Sequence, residues 1–437
     1  MRIKPFRGWR YNTARVGDPS LCASPPYDQY NDQLIAQLEA QSPYNIARVI
    51  KAPPDGGPDS SGDRYGQAQT LLSSWIADGV LTPDAGPGIY PYLQSYMNGS
   101  YEVTRNGFIA LGDLRDTRWF THEETHAHVR EDRSQMRKAT EADIGLIFMI
   151  YSDPHMSVDR LLRHCDFGPP ILNATQPDTS EHRLYRCGDQ SFIDRLVRQM
   201  TEMDCVIADG HHRTAAAFDS WREVRDERWA YAMMAFFNAD APGTSVRPIH
   251  RLIARSDDWE FARFLERLAD RFSIQEISTD GLSPADRAKR LESITDERAR
   301  HGRIAFGMVG PKSDPSYIVE APNPVPDDWS WPYHDDEAYR QLATAVFEFG
   351  ILRGSIGLSG PDIAEGKGLD FPQDAAMVTE SVQAGKYQLG FILPPTPLSA
   401  IFDVARKRHN LPQESTFFFP KLLSGLVINR ITETVPA

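Results

Sequence analysis

Val206-Ile207-Ala208-Asp209-Gly210-His211-His212-Arg213-Thr214-Ala215-Ala216-Ala217 decides how the rest of this chain is read. The leading apolar residues read as the end of a buried strand, and Asp-Gly marks a turn. The alanines after the basic residues suit the first turns of a closely packed helix. A helix N-terminus carries free N–H groups and a partial positive charge, so it receives anions. Arg213 and the imidazoles of His211 and His212 add directed donors, which makes Asp209 through Thr214 a candidate phosphate cradle. Asp209 either caps the helix or holds a divalent metal beside that phosphate. A purely structural turn is the alternative, and a lone Asp-Gly would favour it. A polar run of this length directly after a buried strand favours function, because binding groups collect at such turns.

A second constellation is Thr121-His122-Glu123-Glu124-Thr125-His126-Ala127-His128-Val129-Arg130-Glu131-Asp132-Arg133. His122 to His126 matches the His-Glu-x-x-His zinc-protease helix. Such a helix needs an apolar face to bury it, yet Val129 is the one bulky apolar residue between His122 and Arg133. The spacing is therefore read as coincidence. A solvated, salt-bridged helix start is the plain alternative for so charged a run. The functional reading makes Glu123 a general base or metal ligand. Arg130 and Arg133 then bind carboxylate or phosphate, and Asp132 orients an arginine or holds the metal. Pro25-Pro26 fixes the backbone ahead of Tyr27-Asp28. Ser415, Thr416 and Lys421 flank three phenylalanines read as core, and His250-Arg251 forms a further basic pair.

Strand, Gly-His-His-Arg, then helix resembles the phosphate-binding box of the ParB/sulfiredoxin-like superfamily, which includes the free-serine kinases. The wider chain resembles the domain-of-unknown-function family 1015. Four further segments carry that likeness: Lys4-Pro5-Phe6 with Ser24-Pro25-Pro26-Tyr27-Asp28; His122-Glu123-x-Thr125 with Arg130-x-Asp132-Arg133; Pro394-Pro395-Thr396; and Ser415-Thr416-Phe417-Phe418-Phe419-Pro420-Lys421. The family usually has Pro-Lys where this chain has Val129-Arg130, and Lys where it has Glu414. The resemblance implies an α+β fold: a mixed sheet with packed helices, built on a ParB/sulfiredoxin-like nucleotide-binding core with additions. It also adds His122 and Thr125 to the candidate substrate-binding residues.

Composition bounds the function. Forty-one per cent hydrophobic and 24% charged residues describe a globular protein, with no apolar run near the roughly 18 residues of a spanning helix. A formal charge of −13 argues against nucleic acid and anionic membrane as partners. Four cysteines without metal-ligand spacing suit reduced thiols, hence a cytoplasmic setting. Cys205 lies in the expected strand, so sulfiredoxin-like chemistry, which needs a reactive thiol in the cradle, is disfavoured.

Hydrophobic periodicity predicts a helix from about Arg64 to Asp78 and a hairpin around Met97–Ser100. It also predicts strands at 146–151, 230–237, 317–319 and 387–393, and helices at 191–203, 335–349 and 398–408. Residues 53–63 read as a loop. The Pro- and Asp-rich stretch 310–332 suggests a boundary between a core over 1–310 and a C-terminal segment over 311–437.

These parts fit phosphoryl transfer from ATP or ADP, with Mg²⁺ at Asp209, to the hydroxyl of serine or a related hydroxy-amino acid. Glu123, Asp209 and His212 are the expected catalytic groups, and a nucleotide-hydrolysing switch is the alternative. Oligomeric state, a homo-oligomer included, stays open.

Overall fold

Cys205–Asp209, here called the box strand, lies next to one edge of a nine-stranded sheet in the computed structural model, which describes residues 1–51, 63–254, 260–311 and 315–433. The strand order is Trp119–Phe120, Cys205–Asp209, Ile147–Tyr151, Tyr231–Asn238, Tyr101–Asp113, Tyr90–Asn98, Glu181–Leu184, Leu172–Thr175. Ile3–Lys4 also pairs with Tyr101–Asp113. The box strand runs parallel to Trp119–Phe120 and Tyr231–Asn238 parallel to Ile147–Tyr151; the other pairings are antiparallel. This is the mixed α+β arrangement expected. The hairpin forms where the alternation put it, with Asn98 opposite Tyr101 and Gly99-Ser100 as its two-residue loop.

Burial explains why the box strand sits where it does. Cys205 and Ile207 join Ile147, Met149, Leu196 and Ala217 in one buried cluster. The helix Gln190–Thr201, capped by Asp189 accepting from the Phe192 N–H at 2.7 Å, contributes Phe192, Ile193, Leu196 and Met200 to it. The strand is not regular to its end. Ile207 pairs with Met149 and Asp209 with Phe148, which leaves Ala208 as an extra residue. A bulge of this kind re-aims the next side chain, here the Asp209 carboxylate. The box helix, His211–Val224, follows through Gly210 at φ +93°.

The chain divides into two units, and not at residue 310. Met1–Thr244 together with the chain from Pro420 onward forms the first; Ser245–Phe419 forms the second. Within the second, an antiparallel sheet is ordered Ser273–Ile277, Ser316–Glu320, Ala305–Val309, Tyr387–Ile392, Arg251–Ala254, Leu369–Asp370. Helices Pro284–Arg300 and Ala375–Gln383 share a buried cluster with it, through Leu291 and Val378 among others. Ser316–Glu320 pairs on both sides. The Pro-rich stretch proposed as a boundary thus contains an interior strand, and backbone pairing overrides composition there. The helix expected at 335–349 is broken into Glu337–Arg340, Ala343–Val346 and a π-helical turn, Phe347–Ile356. The loop expected at 53–63 lies, apart from Asp63, outside the described residues. Among the described residues no helix is long and apolar enough to cross a membrane.

Candidate functional site

The box helix starts without a side-chain cap. Its first N–H groups, those of His211, His212 and Arg213, therefore have no intrahelical acceptor. Glycine suits this position. Its φ is left-handed, and a Cβ would lie 3.0 Å from Arg213 Nε. Asp209 does not cap the helix. Its Oδ2 accepts from Arg213 Nη2 at 2.5 Å, one turn on, and its Oδ1 accepts from Lys421 Nζ. Burial alone would raise the Asp209 pKa, but Lys421 and Arg213 outweigh it and hold the carboxyl well below the usual range. Lys421 reaches the site because the returning C-terminal segment is fastened to the first unit. Arg105 donates to the Pro420 carbonyl at 2.8 Å, and Gln94 to that of Lys421 at 3.1 Å.

Asp28 also faces Lys421, its Oδ2 3.7 Å from Nζ, with 43% of its side chain exposed. Burial of the carboxyl group and the charge of Asp209 push its pKa up, against Lys421 and Arg213. The neighbouring Tyr27 ring has the Arg133 guanidinium 4.5 Å from its centre and that of Arg213 at 6.0 Å. The Pro25-Pro26 turn thus places an aromatic ring and a carboxyl beside the box.

The His122–Arg133 segment contributes in two parts. Residues 121–126, before the helix Ala127–Thr140, are not helical, so His122 and His126 do not share a helical face, as expected. Glu123 Oε2 is 3.0 Å from His211 Nδ1. Burial raises the Glu123 pKa, but the charge and hydrogen bond of His211 prevail and bring it to about 2. His122 is fully buried, its ring edge-on to His211 at 4.6 Å, and burial lowers its pKa to about 3. His212 stacks on His126 at 5.7 Å; burial and then His126 lower its pKa to about 4, so it is neutral at pH 7.

The three arginines of the helix, at 130, 133 and 137, all turn toward neighbours that hold them. Arg130 pairs with Asp219 of the box helix at 2.6 Å. Arg133 Nε donates to Asp132 at 2.7 Å, and Asp132 also accepts from the Tyr65 hydroxyl at 3.0 Å. Arg137 is held by Asp143, Ser220 and two backbone carbonyls. Arg130 and Arg137, seven residues apart and so on one face, are the two that reach the box helix, and that spacing was their readable sign.

Among the expected site residues, Asp209, Gly210, His211, His212, Arg213, Glu123, His122 and Lys421 come together within the first unit. Arg133 joins them through Tyr27. Thr214 points inward, its hydroxyl donating to the Gly210 carbonyl at 3.1 Å. Thr125 is half-buried, and Arg130 belongs to the helix seam. Ser415 and Thr416 belong to the second unit. There the Ser415 hydroxyl donates to Pro412, and its carbonyl accepts from Thr396 at 2.8 Å, a turn-forming role. His250 and Arg251 are in that unit too; Arg251 donates to the carbonyls of Gln413 and Glu414 at 3.1 and 2.9 Å.

A metal role for Asp209 does not fit these residues. A hard divalent cation seeks carboxylate oxygens whose charge is uncompensated, and both Asp209 oxygens already face cations. No group of three or more His, Cys, Asp or Glu side chains among the described residues is arranged to hold a metal ion.

The sequence model of the DUF1015 proteins, described as proteins of unknown function, matches residues 3–343. The chain belongs to that family. No curated protein matches it. Among solved structures it is similar to a free serine kinase in complex with AMP, at 12% identity over 71% of this chain and 86% of the other, TM-score 0.35. A conserved hypothetical protein from Pyrococcus furiosus is 12% identical over 75% and 97%, TM-score 0.35. SbnI from Staphylococcus aureus, with a C-terminal truncation, is 9% identical over 74% and 88%, TM-score 0.35.

Proposed function

We propose that the chain is a phosphotransferase moving a phosphoryl group from ATP or ADP to the hydroxyl of a free amino acid, serine or a related hydroxy-amino acid. One observation carries the reading. Arg213 and Lys421 are both held on Asp209 beside the uncapped start of the box helix, although Lys421 is 212 residues further along the chain. Asp209 fixes the two cations, and the free N–H groups supply directed donors to phosphate oxygens. The free serine kinase shares this chemistry by name, at a similarity too distant to add weight.

The base is assigned to Asp28 and not to Glu123. A carboxylate held ionised by an imidazole, as Glu123 is, takes a proton poorly. Glu123 instead orients His211. Asp28 is partly open to solvent, and its raised pKa moves it toward the working pH. In the step, the acceptor hydroxyl oxygen bonds to phosphorus, the bond to the leaving phosphate oxygen breaks, and the hydroxyl proton passes to Asp28. Mg²⁺ accompanies the nucleotide in the assay; no step is assigned to it.

The test incubates purified protein with Mg²⁺, ATP or ADP and a panel of hydroxy-amino acids, and follows the phosphorylated product. Nucleotide bound or hydrolysed with no phosphorylated acceptor across the panel overturns the reading in favour of a nucleotide switch.

A further inference from the structure

Pro420 to Leu423 belongs to no helix or strand, yet this stretch brings the ammonium of Lys421 to Asp209. A lysine is a point charge on a flexible stem, so its place in a site depends on where its main chain is fixed. Two neighbouring strands of the large sheet fix it. From Tyr101–Asp113, Arg105 donates to the Pro420 carbonyl at 2.8 Å and to Gln94 Oε1 at 3.1 Å. From Tyr90–Asn98, Gln94 sets its amide nitrogen 3.1 Å from the Lys421 carbonyl and 3.2 Å from His182 Nδ1. Tyr92 and Ser180 hold the same imidazole, at 2.6 and 3.0 Å. Downstream, Ser424 is held separately, by main-chain hydrogen bonds with Ser24.

Arg105, Gln94, Tyr92 and His182 are each at most 1% exposed. The Arg105 guanidinium lies 4.6 Å from the ring centres of both Phe148 and Phe237. Gly107, two residues on and so on the same face, leaves room for this, since a Cβ there would lie 2.5 Å from the Phe237 ring. Burial brings the Arg105 pKa down to about 10, so its charge is held against a desolvation cost. Packing between two phenylalanines would be served as well by an apolar side chain of similar volume. What the polar chain adds is a fixed position for Pro420 and Lys421. Phe148, the ring against Arg105, is also the strand partner of Asp209, so the tether abuts the strand beside that carboxylate.

We propose that Arg105 and Gln94 are positioning residues of the phosphate cradle, which fix the Lys421 main chain so that its ammonium meets the nucleotide phosphates beside Asp209. The role rests on the phosphotransferase reading of the site and is exerted through Lys421.

The test is a double-mutant cycle read by calorimetry with ADP. Lys421→Met should weaken binding at least about tenfold, the worth of one charge-assisted hydrogen bond. Arg105→Met should weaken it at least about threefold, and the Arg105→Met/Lys421→Met double variant should stay within about twofold of Lys421→Met. Gln94→Met, alone and with Lys421→Met, repeats the cycle if Arg105→Met does not fold. Tyr96→Phe is the control. The Tyr96 hydroxyl, on the same strand face, donates to the Gly243 carbonyl at 2.9 Å, and its loss should leave ADP affinity at the parental value. A second measurement needs no nucleotide. Lysyl endopeptidase should cut after Lys421 at least about threefold faster in the tether variants, with cleavage after Lys138 at the parental rate. A general loss of stability would speed both. Effects that multiply in the double variant, parental ADP affinity in both tether variants, or cleavage raised equally at the two lysines overturn the proposal. A parent protein that binds no ADP also overturns it, by removing the cradle itself, and the cleavage rates keep that outcome apart from a missing tether.

Discussion

Replacing Glu123 by Gln tests the inner wall of the site on a scale set by the structure. Glutamine imitates the protonated carboxyl and can still accept from His211 Nδ1, so the variant removes the charge and keeps the contact. The Glu123 pKa falls from an ordinary 4.5 to about 2 in the folded chain. A shift of that size is equivalent to about 3 kcal/mol, and the 29% exposure of the side chain trims it to about 2–3 kcal/mol. Because the folded pKa is depressed, this stability is fully present above pH 4.5 and is lost as pH falls toward 2. Urea unfolding followed by tryptophan fluorescence should place Glu123→Gln about 2–3 kcal/mol below the parent at pH 7. At pH 2.5 the gap should be less than about 1 kcal/mol. Nucleotide affinity should change little, since His211 keeps its partner. Equal stability at pH 7, or a gap that widens on acidification, would refute the pairing as the cause.

Arg213→Ala removes the charged donor of the cradle and should weaken ADP binding about 10- to 150-fold by calorimetry, the worth of a charge-assisted hydrogen bond. Asp28→Asn should leave ADP affinity within a few-fold of the parent and lower the rate of phosphoryl transfer by at least about 100-fold; transfer at the parental rate would remove Asp28 as the base. Lys421→Met leaves Asp209 with Arg213 alone and should cost about 2 kcal/mol at pH 7, less than the full loss of a buried pair. Asp209 is also a depressed carboxyl, so that deficit should shrink as pH falls below 4, and a pH-independent deficit would point to lost packing instead.

The parts of the site that were legible in the sequence are those in which local pattern and chemistry coincide. Val206 to Ala217 announces strand, turn and helix by hydrophobicity and turn chemistry, and the structure supplies all three. Lys421 was visible as a cation beside an apolar anchor. What fixes it on Asp209 is a contact across 212 residues, made because the chain returns to the first unit at Pro420, and no local pattern encodes such a return. The Ala208 bulge was equally hidden. A single extra residue changes where Asp209 points without changing composition or alternation enough to be read.

Glu123 shows where the sequence runs out, because a carboxylate in a polar run looks the same there whether it is a base or a brace. The difference lies in which group holds the charge. His211 lies 3.0 Å from Glu123 and stabilises its anion, whereas burial and then the anion of Asp209 push Asp28 the other way. Two carboxyls near one box therefore acquire opposite tendencies to bind a proton, one suited to hold an imidazole and the other to accept a hydroxyl proton. That division rests on neighbours brought in from residues 28, 123, 209, 211 and 421, so it is a property of the folded first unit and of no segment within it.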